Sequence, residues 1–143
     1  MKWLNQFSLV MRSSITSLRE KVEDPERMLH QLIFDMQHEL DVVRCSVAEA
    51  IADEIQMRKR CRREREEIQT WQNRATAAMQ RNDEVTARSA LEHKQSAQQR
   101  AEQYETEHTK QADAVRKLQD AVRDLEDKIR QATQKKTLLM ARM

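Results

Sequence analysis

The chain has 143 residues, length for one domain, with 26 basic and 24 acidic side chains and a net charge of +2. It holds no glycine, a single proline, 35% charged and 3% aromatic residues, and a mean hydropathy of -0.92. This excludes a turn-rich fold and a layered globular core, and the near-balanced charge is not the concentrated basic excess of a nucleic-acid binder. What remains is dominated by good helix formers, so the expectation is an all-α rod. No run of 18 apolar residues offers a membrane span, and Asn5, Gln6, Ser8 and Arg12 interrupt any secretory signal core.

Residues 1–23 come first and form their own amphipathic pattern. At helical spacing Trp3, Leu4, Phe7, Val10, Met11, Ile15, Leu18 and Val22 share one face, roughly 140° wide, with Lys2, Asn5, Gln6, Arg12, Ser13, Thr16 and Arg19 opposite and flanking it. Large apolar side chains with basic flanks suit a helix lying in the headgroup region of an anionic membrane. The same face equally suits packing on a protein helix, either its own hairpin or a neighbour's. Pattern alone does not separate the two.

Asp24-Pro25 marks the next boundary. Asp as N-cap and Pro at the first helical position start a helix cleanly, and the residue before proline is pushed out of the α region. Asn82-Asp83 is the other break, a pair of poor helix formers that tolerate turn geometry. Between and beyond these marks lie two arms of matching length, about 25–82 and 84–143. The fold class expected is therefore a long antiparallel two-helix coiled-coil hairpin (24–143) preceded by an N-terminal amphipathic helix (1–23), with residue 143 returning beside residue 25.

A heptad walk supports the hairpin. On the first arm it visits Leu29, Ile33, Met36, Leu40, Val43, Val47, Ala50, Glu54, Met57, Cys61, Glu64, Ile68, Trp71, Ala75 and Ala78. On the second it visits Leu91, Lys94, Ala97, Ala101, Tyr104, His108, Gln111, Val115, Leu118, Val122, Leu125, Ile129, Ala132, Lys136, Leu139 and Met143. Glu54, Glu64, Lys94, His108 and Gln111 weaken the seam but can set its register.

The most basic stretch, Arg58-Lys59-Arg60-Cys61-Arg62-Arg63-Glu64-Arg65, has two readings. It is either a nuclear-localisation or nucleic-acid patch, or a solvated face paired across the hairpin with Glu102, Glu105 and Glu107; the second is the expectation adopted. Cys45 and Cys61 lie roughly 24 Å apart on one helix, too far to bridge, and are expected as reduced thiols of a cytoplasmic protein. Cys61 falls on the seam and Cys45 does not, which makes Cys45 the more reactive.

Catalytic chemistry is not indicated. The four histidines are scattered, the single Glu105-x-x-His108 falls short of a di-iron set, and no phosphate loop exists without glycine. No catalytic residue, cofactor or metal is expected, and the eight methionines read as packing fillers.

An amphipathic start, then Glu23-Asp24-Pro25-Glu26-Arg27-Met28-Leu29, then Asp83-Glu84-Val85-Thr86-Ala87-Arg88-Ser89-Ala90-Leu91 after the turn, together resemble the phage shock protein A family. That family includes the vesicle-inducing protein in plastids and is related to ESCRT-III. Val85-Thr86 stands where the family's usual stretch has Leu-Ala. The resemblance covers the whole chain and implies a cytoplasmic protein, peripheral on the inner (plasma) membrane and acting under envelope stress. It further implies self-association into rods or rings that remodel bilayers, binding to anionic membrane lipids, and inhibition of an enhancer-binding AAA+ ATPase through the hairpin; no direct nucleic-acid binding is implied. Carried over by position, membrane binding falls on Lys2, Trp3, Leu4, Phe7, Val10, Met11, Arg12, Ile15, Leu18 and Arg19, and the joint on Asp24 and Pro25. Family members continue past the hairpin into further helices, so a chain stopping at Met143 is expected to be a trimmed hairpin or a short natural member. The alternatives are a coiled-coil scaffold or adaptor with no lipid binding, and a membrane-independent transcription regulator.

Overall fold

The computed structural model describes residues 2–142, and every regular element among them is α-helical. The order is α1 (Lys2–Arg12), α2 (Ile15–Lys21), α3 (Pro25–Gln80) and α4 (Glu84–Ala141). The two long helices run antiparallel, as the hairpin reading expects. Met143, the last position of the expected seam, lies outside the described residues.

The termini of these helices follow from local chemistry. Asp24 Oδ1 accepts the Arg27 backbone N–H at 3.1 Å, with Pro25 at the first helical position. At the tip, a chain without glycine places Asn82 at φ 59° to end α3. The Asp83 N–H donates to the Ala78 carbonyl at 2.9 Å and the Asn82 N–H to the Met79 carbonyl at 3.0 Å, which is the hydrogen-bond pair of a Schellman motif. Asn tolerates the left-handed region better than other non-glycine residues, because its short polar side chain bonds locally. Asp83 then caps α4, accepting the Thr86 N–H at 3.2 Å and the Thr86 hydroxyl at 2.6 Å. Those two bonds hold its carboxyl below the ordinary value.

The chain divides into two compact units, one comprising residues up to Val47 with those from Lys117 onward, the other Ala48–Arg116. In the first, α1 and α2 join the paired segments of α3 and α4 around one core. Leu29, Met36, Leu40, Leu125, Ala132 and Leu139 contribute from the seam, and Phe7, Val10, Ile15 and Leu18 from the short helices. Leu32 is fully buried although it lies off the heptad walk. The hairpin thus buries a second stripe here, because a third layer covers it.

The second unit has a leaner seam. Ala75, Ala78, Ala87, Ala90, Ala97 and Ala101 are buried, with Met57 and Cys61 the larger members. Every first-arm position of the walk is buried or half-buried. On the second arm the start is corrected: Leu91 is exposed at 47%, and the seam runs through Ala87 and Ala90 instead. Small residues are buried on both arms here, Ala75 and Ala78 on α3 and Ala87 and Ala90 on α4, while the larger Leu91 is left at the edge.

The polar seam positions find partners here. The His108 Nε2–H donates to Glu54 Oε1 at 2.8 Å, Arg100 Nε to Glu64 Oε2 at 3.2 Å, and Lys94 Nζ to Gln72 Oε1 at 2.6 Å. Gln111 is the exception, its Oε1 buried without a partner. The expected charge pairing across the hairpin is realised by Arg65 with Glu105. Arg58 turns to Glu54 on its own helix at 3.8 Å. Lys59, Arg60, Arg62 and Arg63 form no ion pair among the described residues.

Candidate functional site

The site built from the sequence is the apolar face of residues 1–23. Its expected continuity is corrected: this segment is two helices, not one. Serine side chains compete with the helix by bonding to nearby backbone, and Ser14 does so here. Ser14 is extended (φ -73°, ψ 166°) and its hydroxyl accepts the Ser17 N–H at 3.0 Å, so it caps α2 and ends α1 before it. The adjacent serines were the available signal. At the other end Val22 is extended (φ -122°, ψ 133°), and Val22 to Asp24 form a short connection into α3. Asp24 precedes Pro25, the first residue of α3.

The face itself is as read. Phe7 and Ile15 are almost fully covered and Val10 and Leu18 completely so, while Trp3 and Met11 are half-buried against the same cluster. Leu4 lies at the margin, 39% exposed, and Lys2, Arg12 and Arg19 are exposed. What covers the face is the hairpin's own Leu29, Leu32, Met36, Leu40, Leu125, Ala132 and Leu139. Leu32 and Leu139 are the receiving residues that the seam pattern alone did not mark as a dock.

The dock is imperfect in three ways. Trp3 Nε1, Gln6 Oε1 and Ser13 Oγ are buried with no hydrogen-bond partner, three of the four such side-chain atoms among the described residues. Each costs about 1–3 kcal/mol against its hydrated state. A cleft of about 290 Å³ lies beside Trp3 and Leu4, walled by Glu39, Val43, Ala121, Asp124, Leu125 and Lys128. The one side-chain hydrogen bond from these short helices to α4 is Arg19 to the Leu139 carbonyl, at 3.3 Å. Hydrophobic cover therefore holds the segment: each large side chain fully buried is worth ~1.5–3 kcal/mol.

That cover has a chemical consequence. Moving Phe7, Val10, Ile15 and Leu18 from the dock into another apolar phase changes little in hydrophobic terms. Release also uncovers Leu29, Leu32, Met36, Leu40, Leu125 and Leu139 on the hairpin, a cost opposed by the partners that the three buried polar atoms gain and by the attraction of the exposed cations to an anionic surface.

Comparison with known proteins bears on this arrangement. A family model described as the PspA/IM30 family matches residues 2–143. The chain belongs to the PspA/IM30 family. Among curated PspA/IM30 relatives, the membrane-associated protein Vipp1 of Synechocystis is 34% identical over 93% of this chain and 50% of its own length. The membrane-associated protein Vipp1 of Nostoc punctiforme is 36% identical over 94% of this chain and 52% of its own. A phage shock protein A homolog of Deinococcus radiodurans is 28% identical over 99% of this chain and 64% of its own. The chain thus spans about half the length of the first two relatives. No helix among the described residues is long and apolar enough to cross a membrane.

The remaining candidates are quickly placed. Cys45 is exposed and Cys61 buried, both as free thiols. Burial, followed by the Glu105 carboxylate, pushes the Cys61 thiol up. Trp71 stacks on His93 with ring centroids 4.3 Å apart, and Arg74 lies over the Trp71 ring at 4.6 Å. No group of three or more His, Cys, Asp or Glu among the described residues has a metal-holding arrangement.

Proposed function

We propose that this chain is a peripheral membrane-binding protein of the phage shock protein A type, acting at the cytoplasmic face of the inner (plasma) membrane. In this reading α1 and α2 rest on the hairpin and exchange that dock for an anionic bilayer. Trp3, Leu4, Phe7, Val10, Met11, Ile15 and Leu18 then enter the acyl boundary while Lys2, Arg12 and Arg19 meet headgroups. Asp24 and Pro25 serve as the joint. The observation that carries the reading is the dock itself: one amphipathic face, covered by apolar residues, with three buried polar atoms left unsatisfied. The names of the Vipp1 relatives, membrane-associated proteins, point the same way. Assembly on bilayers and their remodelling, and inhibition of an AAA+ transcription activator through the hairpin, extend the proposal to the level of the family.

A structural scaffold without lipid binding is the second reading, favoured by the depth at which Val10 and Leu18 are buried on the chain's own hairpin. Flotation with liposomes of graded anionic content separates the two. Phe7→Glu is expected to abolish flotation while leaving the helical circular dichroism of the hairpin in place. If the native chain does not float at any anionic content, the face is a protein-packing surface and the scaffold reading stands.

A further inference from the structure

Away from the N-terminal dock, the basic run of α3 forms a feature that the membrane reading does not use. Arg58, Lys59, Arg62 and Arg65 share one side of the helix and line a cleft of about 450 Å³. Ile55 and the buried Cys61 supply its apolar part, and His108 of α4 closes it. No carboxylate lines it. Glu54 accepts from His108 and lies 3.8 Å from Arg58, and Glu105 pairs with Arg65. Those pairings orient Arg58 and Arg65 at the edges. Lys59 and Arg62 form no ion pair, so their charge is left for a ligand. A second depression, of about 300 Å³, shares Lys59 and Arg62 and continues over Arg63, where Glu66 is the one acid.

We propose that this cleft binds a free oligophosphate, a linear anion of three or more phosphate groups. Arginine forks match phosphate oxygens in pairs, and the lysine adds a point charge. Lys59, Arg62 and, over the adjoining depression, Arg63 are three cations without an ion pair among the described residues, more than a single phosphate can engage. The lining contains no aromatic ring on which a base stacks, and Trp71 is occupied by His93 and Arg74, which argues against single-stranded nucleic acid as the occupant. The proposal does not depend on whether α1 and α2 bind lipid.

Calorimetric titration of the whole chain with tripolyphosphate, and separately with orthophosphate, tests this. Tripolyphosphate is expected to bind at least ~10-fold tighter than orthophosphate, and more weakly as salt rises. Lys59→Gln with Arg62→Gln, both at exposed positions, is expected to weaken tripolyphosphate ~10-fold or more, with an unchanged melting temperature. Arg81→Gln with Arg88→Gln removes the same charge at the hairpin tip and is expected to leave binding within about two-fold. Equal losses in both double variants, or no binding of tripolyphosphate, overturn the proposal. Binding only to vesicles carrying phosphorylated inositol headgroups, lost in the Lys59/Arg62 variant, also overturns it and makes the occupant a membrane headgroup.

Discussion

Replacing Leu18 by alanine separates a docked N-terminal segment from a free one, because the same deletion has different costs in a packed core and in a fluid bilayer. Leu18 is completely buried in the dock, among side chains of both hairpin helices. There, Leu18→Ala costs ~2–5 kcal/mol, the lost transfer energy plus a term for a cavity that rigid neighbours cannot fill. In a membrane only the transfer term applies, about 2.4 kcal/mol for three methylene-sized groups, since acyl chains flow into the space. Apparent lipid affinity is the intrinsic affinity multiplied by the fraction of chains that are undocked. The expected net effect therefore runs from a roughly two-fold loss to a gain of about 70-fold, although an apolar group has left the insertion face. Vesicle partitioning measures the affinity, and lipid-free hydrogen exchange over residues 2–21 reports the weakened dock as faster exchange. A loss of roughly 50-fold in partitioning, with unchanged exchange, is what a segment free before binding gives, and it would refute the docked resting state.

Two further outcomes concern the hairpin. Hydrogen bonds from Thr86 lower the Asp83 carboxyl in the folded chain. Its cap therefore stabilises the tip above the ordinary carboxylate range, and that contribution disappears as the pH falls through the depressed folded value. Melts from pH 7 to pH 2 are expected to show Asp83→Asn losing less stability than the native chain. An equal loss would mean that the cap does not titrate with folding. In the seam, Glu54→Leu with His108→Leu replaces a largely buried polar pair by apolar packing, and stability is expected to change between neutral and ~4 kcal/mol more stable. Glu54→Leu alone leaves His108 without its acceptor and is expected to fall below the double variant in chemical denaturation. A single variant as stable as the double one would show that the pair is not coupled.

The hairpin was legible because its causes are local. A glycine-free chain whose strong breaks fall at Asp24-Pro25 and Asn82-Asp83 has few ways to fold. Every first-arm position of the heptad walk is buried or half-buried, since a 3.5-residue repeat on a helix is itself the geometry of the contact. Where the walk failed, at Leu91, the local pattern offered two adjacent apolar choices, Ala90 and Leu91, and only the packing of the two arms buries Ala90 and leaves Leu91 exposed. The break at Ser13-Ser14 was also local, but a continuous apolar face outweighed the weaker signal of two serines.

Sequence alone thus determined the helical class, the arms, the Asp24 cap and which face of residues 1–23 is apolar, because each depends on residues within a few positions of one another. Tertiary structure decided what that face touches, because a hydrophobic stripe gains the same free energy from lipid, from a neighbour or from its own hairpin. It decided that Leu32, off the seam, is buried beneath a third layer. It also decided that Arg65 spends its charge on Glu105 while Lys59 and Arg62 keep theirs, because pairing depends on distances between side chains some forty residues apart in the chain.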